Sequence, residues 1–301
     1  MTEIKSLDLG MREAVSERLA KYPPEISDHT FTNLFIWRKS RPIQIIDSGD
    51  ALIFVATRKG HASVFGPPVG SMEPGLARSL ALEVSGLPSV AFERLPQGFA
   101  TAALNSGIEV HEDRDNFDYV YRREDLAGLE GRRYHPKRNL IAQCLASYNP
   151  TYEEIGPVNL GEVSEMMDAW CKSRRCGHDP GLCDEYIAVQ ELLSNYSSLG
   201  ATGAAVRIDG RIVAFTVGEK LNGKTAVIHF EKAMPGYKGL YQLINNLFAK
   251  NHLGGFEFVN REQDLGMEGL RRAKESYFPD HLVKKHSTAL PPETKLNRCR
   301  E

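Results

Sequence analysis

Apolar and polar positions alternate most regularly in the C-terminal half of the chain. Residues 204–208 (AAVRI), 211–219 (RIVAFTVGE) and 224–231 (KTAVIHFE) are runs rich in β-branched and aromatic side chains. Asp209-Gly210 and Asn222-Gly223 separate them, and both pairs readily take the positive φ of a tight hairpin turn. The pattern predicts a three-stranded antiparallel meander. After Pro235-Gly236-Tyr237-Lys238-Gly239, the residues Leu240, Leu243, Ile244, Leu247 and Phe248 fall on one helical face, predicting a helix to about Lys250. Gly254-Gly255 ends it, 256–259 (FEFV) reads as a short strand, and a last helix is expected over 266–275. A helical crossover joins the strand before the glycine loop to the strand after the helix, so those two should run parallel. Upstream, 163–172 and 184–199 read as amphipathic helices.

The N-terminal half repeats this order more faintly. Strands are expected at 43–47, 51–57 and 62–65, followed by the loop Gly66-Pro67-Pro68-Val69-Gly70 and a helix near 73–84. A strand at 89–93, a helix at 97–106 and a strand at 117–121 come next. The order of elements, rather than residue identity, suggests a diverged duplication: an α/β (α+β) chain with a mixed, mostly antiparallel sheet in each half. The charged, glycine-containing stretch 123–135 reads as a linker, giving domains over 1–125 and 126–287. The tail 288–301 (TALPPETKLNRCRE) reads as flexible.

Composition narrows the classes. The 301 residues are 42% apolar and 25% charged, as in a soluble globular protein with room for two domains. Basic and acidic side chains number 37 and 39, a net charge of −2, so no global field grips nucleic acid or anionic lipid. No apolar run approaches the ~18–20 residues of a membrane span. The charged N-terminus has no apolar signal core, and five cysteines read as reduced thiols, both pointing to the cytoplasm. Cys171, Cys176 and Cys183, with His178 between them, lack the paired CxxC spacing of structural zinc sites, so no metal is expected. GxSxG, HExxH and P-loop motifs are absent, which leaves hydrolase and NTPase readings without support.

The glycine loop before the 238–250 helix is the first candidate site. A helix N-terminus presents free N–H groups and the positive end of a dipole, which suits a phosphate or pyrophosphate. Gly236 and Gly239 would admit a ligand close to the backbone, and Lys238 adds charge; an ordinary strand-to-helix turn is the alternative. In the equivalent N-terminal loop, Pro67 and Pro68 remove two N–H donors, so the donor is expected in the C-terminal half. Arg132, Arg133, Lys137 and Arg138 put four cations within seven positions, able to hold a phosphate, a carboxylate or an RNA backbone, or else simply to be solvated.

The stretch HFEKAMPGYKGLYQLINNLFAK, followed by FVNREQDLGMEGLRRAKESYFPD, resembles the C-terminal domain family of phosphatidylglycerol lysyltransferases. Arg133-Tyr134-His135-Pro136-Lys137-Arg138-Asn139 is similar to that family's basic segment, and 27–37 (SDHTFTNLFIW) to its N-terminal entry. The resemblance implies two tandem GNAT-like domains, as in Fem-type aminoacyltransferases. It implies transfer of an acyl or aminoacyl group from a thioester or an aminoacyl-tRNA to an amine or hydroxyl. It also implies a donor pyrophosphate on Gly236, Tyr237, Lys238, Gly239, Leu240 and Tyr241, where bulk at Gly239 would block binding. With no apolar run long enough to span a bilayer, the chain is expected to lack the membrane-spanning part of the true lysyltransferases.

Acyl transfer to an amine needs a base, donors for the oxyanion and an acid for the leaving group. Glu231, or His229 two residues earlier on the same strand face, could serve as base; an ion pair with a neighbouring cation is the alternative for Glu231. Tyr277 stands where the resemblance implies a tyrosine acid, and a core-edge aromatic is its alternative. Asn260, Arg261 and Asp264, in the polar run after the 256–259 strand, join Arg133, Lys137, Arg138 and Asn139 as candidate substrate ligands. The expectation is an acyltransferase using acyl-coenzyme A, favoured by the near-neutral charge, on a small-molecule or lipid-headgroup acceptor. An aminoacyl-tRNA donor, or a binding module without turnover, are the alternatives.

Overall fold

The computed structural model describes residues 3–58, 60–174, 177 and 179–288. Two compact units divide the chain. One comprises Met1–Asp118, Gln263–Glu268 and Leu282–Glu301; the other comprises Tyr119–Glu262 and Gly269–His281.

In the first unit the strands Glu3–Ser6, Ile43–Asp47, Ala51–Arg58, His61–Phe65 and Val90–Glu93 lie side by side in that order. Neighbours are antiparallel until the last pair, which is parallel from Ala62↔Val90 to Phe65↔Glu93. The crossover between the parallel strands contains the helix Pro74–Ser85, which begins on a proline and is capped by Gly86 in the left-handed region. Its small Ala77 and Ala81 let the helix settle onto Ile46, Ile53, Val55, Val64 and Phe92. A second, charged core lies in the same unit. Lys285 is fully buried. Its Nζ donates to the carboxylate of Asp28 and, at 2.6 Å, to that of Asp118. Ser27 and Gln263 add three hydrogen bonds to Asp118, each 2.8 Å long. Burial favours the neutral form of Asp28, but Lys285 and Arg94 overcome it and hold that carboxyl well below its ordinary range. His29 is neutral because burial lowers its pKa to about 4, and its Nε2 donates to Phe65 O at 2.8 Å.

In the second unit the order is Thr151–Glu154, Thr202–Ile208, Arg211–Lys220, Thr225–Ala233 and Phe258–Asn260, then residues 120–122 of the strand Asp118–Arg122. The meander read from the two hairpin turns is present, and Thr225–Ala233 runs parallel to Phe258–Asn260. The helix Leu240–Asn251 makes the crossover, with Leu240, Leu243 and Ile244 packed on Val206, Val213, Ala214 and Ala233. Mixed sheets flanked by helices therefore make a mixed α/β fold.

The stretch 123–135 is not a linker. It forms the helix Arg123–Gly128 and the 3₁₀ turn Arg132–Tyr134, which runs into the helix His135–Tyr148. Pro136 suits a helical first turn, while Cys144 is the one fully buried residue of that helix, too little apolar signal for a periodicity. Residues 184–199 are two helices, Pro180–Ser194 and Tyr196–Leu199, joined at Asn195. The helices Arg12–Lys21 and Phe31–Ile36 and the strands Glu3–Ser6, Thr151–Glu154 and Lys285–Ser287 went unread. The tail beyond Thr288 lies outside the described residues, as do Cys176 and His178. Among the described residues no helix is long and apolar enough to cross a membrane, and no group of His, Cys, Asp and Glu is placed to hold a metal.

The charged core makes a stability prediction. Lys285→Ala leaves Asp28 and Asp118 buried without their shared cation, and breaking such a pair costs about 3–5 kcal/mol. Urea unfolding should show a correspondingly earlier transition. A loss under ~1 kcal/mol, the median for a solvent-exposed pair, would mean that the interior charges are not holding this unit together.

Candidate active site

The two parallel strands of the second unit part company early. They pair at Thr225↔Phe258, Ala226↔Val259 and Val227↔Asn260. Past that point Thr225–Ala233 continues to Ala233 on the arm of Arg211–Lys220, while the other chain turns away. Asn260, fully buried, makes the turn: its Oδ1 accepts from Glu262 N at 2.8 Å, and Glu262 takes a φ of 56°. Lys274 steadies it by donating to the carbonyls of Arg261 and Glu262. Arg261 N donates to Tyr119 O at 2.9 Å. The turn throws both side chains back across the gap. Arg261 Nη2 reaches Glu231 Oε1 at 3.0 Å, and Glu262 Oε1 lies 2.8 Å from His229 Nδ1.

His229 does not suit the role of base. Its side chain is 1% exposed, with Glu262 on Nδ1 and Glu219 on Nε2, each at 2.8 Å. Burial would lower its pKa, but hydrogen bonds and charge from the two glutamates raise it to about 10. It is an imidazolium clamp with no free lone pair. Glu231 forms the ion pair that was its alternative reading. Its Oε2 also accepts from Asn245 Nδ2 at 2.8 Å, so both oxygens are engaged. Tyr277 is buried, and burial pushes its hydroxyl pKa up, keeping it protonated at neutral pH. The Arg261 guanidinium lies 4.9 Å from the centre of its ring and the Lys137 ammonium 4.2 Å. Burial and then the charge of Arg261 lower the Lys137 pKa, and Lys137 Nζ donates to Ser276 Oγ at 2.6 Å. Four expected residues, Glu231, Arg261, Tyr277 and Lys137, thus form one chain of contacts.

The glycine loop is less open than expected. Gly239 is buried at a φ of 85°, and a Cβ there would lie 2.1 Å from Leu140 O of the helix His135–Tyr148. It is a packing glycine, and bulk there would push that helix away rather than block a ligand. Leu240 is buried in the core. Tyr148 covers part of the loop: its hydroxyl donates to Gly236 O at 3.3 Å and accepts from Lys238 N at 3.4 Å, and its ring packs on Tyr237. Gly236, Lys238 and Tyr241 are exposed.

The other expected ligands scatter. Arg133 is exposed and pairs with Asp125 at 3.1 Å. Arg138 donates to Leu129 O and Gly131 O, closing the turn after the helix Arg123–Gly128. Asn139 is exposed. Asp264 belongs to the first unit, where it is fully buried, accepts from Gly266 N and pairs with Arg114 at 3.1 Å. It and Asn260 are structural because their acceptors already hold turns. Sequence reasoning missed Glu219, Asn245 and Thr216, and reached Glu262 only as a member of the polar run after the 256–259 strand. Thr216 is the register partner of Glu231. Asn245, a polar residue on the buried face of the helix Leu240–Asn251, was the one with a signal in the sequence.

The His229 clamp fixes a pH dependence. A group whose pKa rises from its ordinary 6.5 to about 10 on folding stabilises fully below the lower value, and that contribution is lost as pH climbs through the upper one. Unfolding free energy should therefore fall between pH 7 and 10, and His229→Gln should flatten that slope. An unchanged slope in the variant would assign the titration elsewhere.

The chain and its fold have relatives. The family described as phosphatidylglycerol lysyltransferase, C-terminal, matches residues 19–288. A conserved protein of unknown function from Bacteroides thetaiotaomicron is 30% identical, with a TM-score of 0.89 over 97% of this chain and 100% of its own. The L-PGS structure from Bacillus licheniformis is 15% identical, with a TM-score of 0.65 over 94% of each chain. FemX shares the fold at 10% identity and a TM-score of 0.59, over 98% of this chain and 100% of its own. An uncharacterized protein of Mycoplasmoides gallisepticum is 22% identical over 180 residues, 59% of this chain and 56% of that protein. This chain thus spans little more than half the length of that relative. By the match over residues 19–288, the chain belongs to the phosphatidylglycerol lysyltransferase C-terminal family, a family of aminoacyl and acyl transferases.

Proposed function

We propose that the second unit transfers an aminoacyl group from an activated ester to an amine or hydroxyl acceptor, at the cluster around Glu231. One observation carries this reading. Three buried polar atoms beside Glu231 have no hydrogen-bond partner among the described residues: Asn245 Oδ1, Thr216 Oγ1 and Arg261 Nη1. Buried polar atoms are nearly always paired, so unpartnered ones point to a ligand that supplies the missing partners. An aminoacyl group brings both kinds, an amino N–H for Asn245 and a carbonyl oxygen for Arg261. A plain acyl chain brings only the second and leaves Asn245 bare.

The donor in this reading is an aminoacyl-tRNA, and exposed Asn139 and Arg133, whose surface pair with Asp125 can exchange for a phosphate, offer contacts to its backbone. Tyr277, held protonated by burial, can return a proton to the leaving oxygen. The acceptor is a small molecule or a lipid headgroup with an amine or hydroxyl. A second reading keeps acyl-coenzyme A as donor, supported by the exposed Gly236 and Lys238 at the start of the helix Leu240–Asn251. It is the weaker one, because Lys238 N already donates to Tyr148 and Gly239 is packed against a helix.

The readings separate by binding. Filter binding should show a bulk tRNA preparation held more tightly when charged than when stripped, and Asn245→Ala should shrink that preference by about tenfold, or 1.4 kcal/mol. Calorimetric binding of acetyl-coenzyme A, with no preference between the tRNA samples, would transfer the assignment to the second reading. If neither donor binds at millimolar concentration, the transferase reading fails.

A further inference from the structure

We propose that Arg261, not Glu231, is the catalytic residue that meets the reacting carbonyl, and that Glu231 is the positioning residue that aims it. The inference rests on the transfer reading above and reverses the roles expected from the sequence. Both oxygens of Glu231 already accept, from Arg261 at 3.0 Å and from Asn245 at 2.8 Å. Its side chain is 11% exposed and that of Arg261 13%, so the pair is largely withdrawn from water. A carboxylate saturated in this way has little left to offer an incoming proton.

Arg261 is arranged in the opposite sense. Its backbone is fixed by Tyr119 and Lys274, and its Nη2 is anchored on Glu231. The guanidinium sits 4.9 Å from the ring centre of Tyr277 and 5.6 Å from that of Tyr121. The group is anchored at Nη2 and lies beside both rings, while Nη1 is closed to water and donates to nothing among the described residues. A guanidinium cannot deprotonate in a protein, so its remaining chemistry is to donate to developing negative charge. A rigid donor in a dry site is worth more there than in water, and it reorganises little when charge appears.

The step balances without another reagent. The acceptor's nitrogen or oxygen lone pair forms a bond to the carbonyl carbon, and the carbonyl π pair moves onto its oxygen. That oxygen accepts a hydrogen bond from Arg261 Nη1. Collapse re-forms the carbonyl and breaks the bond to the leaving ribose oxygen, or to sulfur if the donor is a thioester. The proton lost by the attacking group ends on the leaving atom. Glu231 neither gains nor loses a proton at any point.

Steady-state transfer from charged tRNA to a panel of amines and hydroxyl compounds, lipid headgroups included, over a range of pH, tests this. Arg261→Lys keeps the charge but loses the planar fork, and kcat should fall by about 10²–10³-fold, the usual cost of an oxyanion donor, with KM little changed. Glu231→Gln keeps an oxygen for Arg261, so its loss should stay under about tenfold, well short of the 10²–10⁴ expected for a base, with the pH profile unmoved. A Glu231→Gln loss on that larger scale, together with disappearance of the acidic limb, would make Glu231 the base and overturn the proposal. Near-normal turnover by Arg261→Lys would overturn it as well. Should Arg261→Lys fail to fold by thermal melt, the rate and pH profile of Glu231→Gln decide alone. Absence of transfer by the unsubstituted chain overturns the transfer reading itself, and with it the roles assigned here. Active wild type with either contrary variant result sinks only the roles.

Discussion

The second unit is organised by the divergence of two parallel strands. Once Thr225–Ala233 and Phe258–Asn260 stop pairing after Val227↔Asn260, the ladder no longer fixes their spacing, and side chains must. The turn at Asn260 solves this by sending Arg261 and Glu262 back toward Glu231 and His229. Everything assigned to the site follows from that geometry. Arg261 is rigid because it spans the gap, and Glu231 is saturated because it is the other end of the span.

Each unit contains a cation held between two carboxylates, and the two serve different ends. In the first unit Lys285 lies between Asp28 and Asp118, sealed in the interior with Ser27 and Gln263 completing the hydrogen bonds. In the second, His229 lies between Glu219 and Glu262 at the mouth of the strand divergence. Desolvation opposes both arrangements, and each survives because short hydrogen bonds offset it. The first spends Lys285 on its two buried acids. The second secures the wall of a site whose neighbours, Asn245, Thr216 and Arg261, still carry unpartnered atoms.

The loop before the helix Leu240–Asn251 shows how one residue pattern supports two physical uses. A glycine at a helix start suits close approach by an anion, and it equally suits close approach by another helix. Here the approaching backbone is Leu140 O, and Tyr148 takes up Lys238 N. The free donors expected for a pyrophosphate are reduced, and the polar cluster around Glu231 becomes the better supported centre for chemistry.

Much of the fold was legible in the chain. Asp209-Gly210 and Asn222-Gly223 fixed the hairpins, the spacing from Leu240 to Phe248 fixed a helical face, and the crossover required a parallel pair. These are local rules, in which a residue's neighbours along the chain are also its neighbours in space. The helix His135–Tyr148 escaped because tertiary contact, through buried Cys144 and Tyr134, supplies what its sequence lacks in periodicity. The same limit applied to the site. Spacing together with the family resemblance singled out Glu231, His229, Arg261, Tyr277 and Lys137, but could not say which charge meets which. His229 became a clamp, Glu231 an anchor and Arg261 a donor only when the chain turned at Asn260 and brought residue 261 against residue 231. A side chain's protonation and free valence depend on the partners within about 4 Å of it, and for buried groups those partners come from distant parts of the chain.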